Sequence, residues 1–143
     1  MVTNTFGQTK NFVNPTGSYT FSGKTKRNKN NVYGYFGHTH VLLLDSSHIL
    51  INFFICKGAP SYNSGSFIDT LEYTNNTAIY RGDRVSDSTC KLTLDFSNKG
   101  IGVQLFSENP NWACGFGHAV DAYGFFKRIR GKIPSRNEIL EDN

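Results

Sequence analysis

His38 and His40 stand two residues apart in a strand-like run, so one strand face can offer two imidazoles to a single metal. Zinc needs at least a third protein ligand, and His118 is the candidate. No Asp or Glu accompanies the pair in sequence. Two rings on a solvated face, with Thr39 turned inward between them, is the favoured reading, and no metal or catalytic residue is assigned. His118 follows Gly117 directly and could act as a general base or touch a ligand; a bond to a neighbouring carbonyl is the plainer role. A nucleophilic Cys56 would need a lowered pKa and a nearby base, whereas its place at the end of an apolar run predicts a buried, inert thiol. Ser61, in Ala59-Pro60-Ser61-Tyr62, lacks the flanking glycines of a nucleophile elbow. The chain is expected not to be an enzyme and to need no cofactor.

Other residues suit recognition better than catalysis. The stretch from Lys57 to Ser66 is long and irregular for a small β domain, and binding side chains concentrate on such loops. Tyr62 and Asn63 are its candidates. Trp112 and Tyr123 sit in polar surroundings on either side of His118, and exposed Trp and Tyr are enriched at interaction surfaces. Tyr62, Asn63, Trp112, His118 and Tyr123 are therefore the predicted binding residues, expected at one end of the fold. Lys24-Thr25-Lys26-Arg27-Asn28-Lys29 could meet phosphates, with Arg128, Arg130 and Lys132 extending the patch. No aromatic-rich nucleic-acid motif accompanies them, so a solvated turn is predicted and no nucleic-acid partner. Asn75-Asn76-Thr77 fits the glycosylation sequon, which matters only on a eukaryotic secretory route.

These residues need a frame, and composition points to a β one. Twelve Phe and seven Tyr fit half-buried pleated surfaces, and fourteen Gly favour short turns. Runs of period two recur. Tyr19 and Phe21 share a face, as do Tyr33, Tyr35, Val41 and Leu43, with Phe36, His38, His40, Leu42 and Leu44 opposite. His48 to Cys56 is apolar almost throughout, as in a strand buried on both sides or closed into a barrel. Leu92, Leu94 and Phe96 alternate with Lys91, Thr93 and Asp95; Ser97 to Gly100 turns, and Ile101, Val103 and Leu105 return inward. A last hairpin is expected from His118–Val120 to Phe125–Ile129. The prediction is an all-β domain, a single antiparallel meander of about eight strands closed as a barrel or folded as a sandwich. Residues 1–16 form a flexible lead-in, 17–133 the barrel, and 134–143 a polar tail in which the Ser135-x-x-Glu138 capping box can start a short helix.

The cysteines decide the compartment. Cys56, Cys90 and Cys114 match no zinc spacing. Three reduced cytosolic thiols are one reading. The other, which we adopt, is a Cys90–Cys114 disulfide with Cys56 free, because the two bracket one hairpin. A disulfide implies an oxidising compartment. The polar start Met1-Val2-Thr3-Asn4-Thr5 carries no signal peptide, so export would require its earlier removal. No apolar run reaches the length of a membrane-spanning helix.

Cys114-Gly115-Phe116-Gly117-His118-Ala119-Val120, followed by Gly124-Phe125-Phe126-Lys127-Arg128, resembles a group of small exported bacterial β-rich proteins of unassigned activity. Lys57-Gly58-Ala59-Pro60-Ser61-Tyr62-Asn63 and Ser88-Thr89-Cys90 are similar too, and the likeness spans roughly residues 33–130. It implies a β-barrel and a periplasmic or secreted life, and supplies no catalytic residue.

The expected function is thus a non-enzymatic exported barrel whose loops recognise a partner, a macromolecule in preference. Two alternatives stand: a lipocalin-like small-molecule binder with the ligand inside the barrel, and a hydrolase or metal enzyme built on His38, His40 and His118. The net charge of +4 gives only a mild preference for acidic partners. A filled interior would favour the first reading, an apolar cavity the second, and converging histidines the third.

Overall fold

The computed structural model describes residues 11–141. Its strands are β1 (Gly17–Ser22), β2 (Lys26–Asn28), β3 (Asn31–Asp45), β4 (His48–Gly58), β5 (Ser64–Glu72), β6 (Thr77–Tyr80), β7 (Lys91–Phe96), β8 (Gly100–Phe106) and β9 (Gly124–Arg128). Eight of them follow one another around an antiparallel wall, and β9 returns to pair with β1. The ladder is continuous except between β5 and β6, so the barrel is nearly closed. Closure removes most of the exposed edge that an open sheet would present.

The inward positions are those the alternation predicts. Leu92 pairs with Leu105, Leu94 with Val103 and Phe96 with Ile101, and five of the six are buried. Tyr19, Thr39 and Val41 are also fully buried. A chain of rings fills the interior: Phe21 on Phe126, Phe126 on Phe53, Phe53 on Phe67, and Phe67 flat on Tyr80 at 3.6 Å. That last pair joins β5 to β6, so stacking closes the seam where the ladder does not. Toward the opposite end, Phe96 meets Tyr19 and Tyr73 edge-on.

The apolar run of β4 is explained from both sides. Ile49, Ile51, Phe53 and Ile55 face the core. On the outer face, Asn52 donates from Nδ2 to the carbonyls of Ile139 and Glu141, in and just beyond a short helix, α1 (Arg136–Leu140). The predicted capping box starts that helix: Ser135 accepts from the Glu138 amide and Glu138 from the Ser135 amide. Ile139 is fully buried against the wall.

Two local expectations change. The basic turn at Lys24–Lys29 contains β2, which folds back on β3. The last hairpin does not form: only β9 is a strand, and His118–Val120 lies in a loop. Its amides are used elsewhere, Ala119 donating to the Asn111 carbonyl and Val120 to that of Gly117.

Part of the expected lead-in falls outside the described residues. Residues 11–16 are tied to the barrel floor. Asn76 holds the Asn11 carbonyl and the Val13 amide, Tyr73 donates to the Val13 carbonyl, and Arg128 donates to the carbonyls of Asn14 and Thr16.

Candidate functional site

The register gives the barrel unequal ends. At one end β3–β4, β5–β6 and β7–β8 are joined by tight turns. At the other lie the β2 flap and the connections 59–63, 81–90 and 107–123. The disulfide clamps the last two. Cys90 and Cys114 are bonded, with Cα atoms 4.9 Å apart, and Cys56 is free and buried. Cys114 lies in a one-turn 3-10 segment, Ala113–Gly115, and adopts a left-handed backbone (φ 57°).

Beneath the clamp sits a residue that sequence reading missed. The buried carboxylate of Asp87 accepts from Ser107 Oγ (2.5 Å), Thr89 Oγ1 (2.6 Å), the Cys114 amide (2.9 Å) and the Thr89 amide (3.0 Å). These bonds, that from Ser107 foremost, hold its pKa well below the usual carboxylate range. The Asp87-Ser88-Thr89 turn chemistry was visible; its distant partners Ser107 and Cys114 carry no periodic signal.

Because the folded-state pKa is depressed, this contribution to stability is complete above the ordinary Asp value of about 4. It is lost progressively as pH falls below that value toward the folded-state pKa. Asp87→Asn, which cannot accept at both side-chain positions, should therefore melt below the parent at neutral pH. The gap should narrow in melts taken at falling pH under about 4. A gap independent of pH would show that the carboxylate charge is immaterial.

The 107–123 loop is seated by a few specific contacts. Phe116 plugs the barrel mouth, its ring filling the space a Cβ at Gly65 would need, and Gly117 donates to the Ser64 carbonyl. Tyr35 donates from its hydroxyl to the Ala119 carbonyl and accepts from the Asp121 amide.

All five predicted binding residues belong to loops of this end, and three are joined directly. Asn63 Nδ2 donates to the His118 carbonyl, and the His118 ring meets Trp112 edge-on at 5.2 Å. Tyr62 precedes Asn63, but its hydroxyl turns to β3, donating to Asn31 Oδ1 and accepting from the Val32 amide. Among the described residues, no hydrogen bond or ring contact joins Tyr123 to the other four; it stands over the outer wall of β8 and β9. Trp112 is about half exposed (52%).

The histidines do not converge. His38 and His40 lie on the outer face of β3, ring centroids 5.7 Å apart, while His118 is in the end loop. Burial, with lesser contributions from neighbouring positive charge, lowers the pKa of both strand histidines. His38 stacks on Phe54, and His40 Nδ1 lies 2.9 Å from Ser18 Oγ. Among the described residues, no three His, Cys, Asp or Glu side chains are grouped so as to hold a metal. Arg128 is turned into the barrel floor, donating to Tyr19 Oη, and so does not extend the basic turn.

No family model matches the chain, and neither does any curated protein or solved structure. Its function is therefore read from geometry alone. Among the described residues, no helix is long and apolar enough to cross a membrane.

Proposed function

We propose that the chain is a non-enzymatic, exported binding module that grips a macromolecular partner with its disulfide-clamped end. The observation that carries this is the gathering of the long loops at that end, fastened by a covalent bond and the Asp87 cluster over an aromatic-filled interior. Loops ordered before contact lose little conformational entropy on binding. Exposed Trp and Tyr are the residue types that most often dominate binding energy. The ring-packed interior is a poorer fit to a lipocalin-like ligand. The disulfide accords with an oxidising compartment, periplasmic or extracellular.

The test is capture by the immobilised, oxidised protein, with cross-links mapped on both sides. Trp112→Ala combined with Tyr62→Ala should abolish capture while the thermal midpoint stays within a few degrees of the parent. Undiminished capture by the double variant would move the contact to the basic turn at Lys24–Lys29.

A further inference from the structure

Gly102 lies mid-strand in β8, paired with Asp95 on one side and Phe125 on the other. Glycine weakens a strand interior and is kept where the backbone or a close neighbour demands it. Neither demand is present here. The backbone is not left-handed, and a Cβ would meet nothing nearer than the Asp95 carbonyl oxygen at 3.9 Å. By contrast, a Cβ at Gly37 or Gly100 would collide with the carbonyl oxygens of Phe54 and Phe126.

The bare position is the floor of an open groove of about 310 Å3, walled by Asp95, Gln104, Tyr123 and Phe125. Both rings are available: Tyr123 is 63% exposed and Phe125, lying over Gly100, is 49% exposed. Among the described residues, neither ring stacks on another and the Gln104 amide has no partner. Asp95 uses one oxygen, Oδ1, to accept from Thr77 Oγ1 at 2.7 Å.

We propose that this groove binds a pyranose ring of a neutral saccharide. Aromatic faces are electron-rich and attract the weakly positive C–H face of such a ring. The planar carboxylate and amide beside them can each engage adjacent hydroxyls, one accepting and the other both donating and accepting. A floor without side chains lets a flat ring settle against the backbone. Charge narrows the class. The Asp95 carboxylate disfavours an anion, and the exposed Lys127, paired with Gly100 two positions along β8, disfavours a cation. The volume is at the lower end of the roughly 300–1,000 Å3 of ligand sites.

Amide chemical shifts of the oxidised protein, titrated with cellotetraose, tetra-N-acetylchitotetraose and β-mannotetraose, test the proposal. Tetragalacturonate and tetralysine serve as charged probes. At least one neutral tetrasaccharide should give saturable shifts at Gly102, Gln104 and Gly124. Gly102→Val fills the floor with a better strand former, so it should keep or raise the thermal midpoint while weakening that binding at least tenfold. Phe125→Ala should weaken it similarly by another route. Absence of saturable shifts at those amides with all three neutral probes at millimolar concentration would overturn the proposal. So would binding of charged probes alone, or undiminished affinity in both variants. Neither variant alters Trp112 or Tyr62, so this result and the capture result stand separately.

Discussion

Leu94→Ala is expected to destabilise the protein by about 2–5 kcal/mol, read as a lowered denaturant midpoint with an unchanged slope. Leu94 is fully buried, opposite Val103, and belongs to the core shared by both halves of the wall. Truncation removes buried methyl groups and leaves a void that the interlocked rings cannot collapse to fill. Thr93→Ala, on the outer face of the same strand, should change stability by only a few tenths of a kcal/mol. Equal midpoints for Leu94→Ala and the parent would mean that β7 presents its other face to the core.

Removing the disulfide, by Cys90→Ala with Cys114→Ala, should cost about 2–4 kcal/mol. The bridge closes a loop of sequence separation 24, long enough for a substantial constraint on the unfolded chain. The loss should be local in the native state as well. Amide exchange should accelerate first across 81–90 and 107–123, while β3 and β4 stay protected. Thiol titration of the denatured, unreduced parent should find one group, Cys56. Three titratable thiols in oxidised material would contradict the bridge.

Much of the barrel was legible because its determinants are local and periodic. The alternation over Leu92–Phe96 and Ile101–Leu105 named the inward face and the turn between them, and the structure places both there. The Cys90–Cys114 bond followed from two cysteines bracketing that hairpin. The almost continuous apolar run of β4 announced a strand buried on both sides or closed into a barrel, though not that α1 supplies the outer cover through Asn52. What stayed hidden depends on single polar residues meeting partners far along the chain. Asp87 looks like any turn carboxylate until Ser107 and the Cys114 amide arrive. His118–Val120 reads as a strand until its amides are claimed by Asn111 and Gly117. For the candidate site, residue type pointed to Asn63, Trp112 and His118, which do meet. It passed over Gly102, since a missing side chain leaves no mark on hydrophobic periodicity.

The unequal ends of the barrel separate two engineering tasks. Strand register is pinned by the short turns near Ser46–Ser47 and Asn98–Lys99, far from the clamped loops. Ser61 and residues 108–112 could therefore be randomised as a library while Ala59, Tyr62, Asn63 and Ser107 keep the contacts that seat the loops. A surface anchor coupled to the side chain of Asn98→Cys, which keeps the length of that turn, would leave the whole randomised face pointing into solution. The same division gives natural variation somewhere to act: loop residues can change partner by partner while the wall that carries them stays as it is.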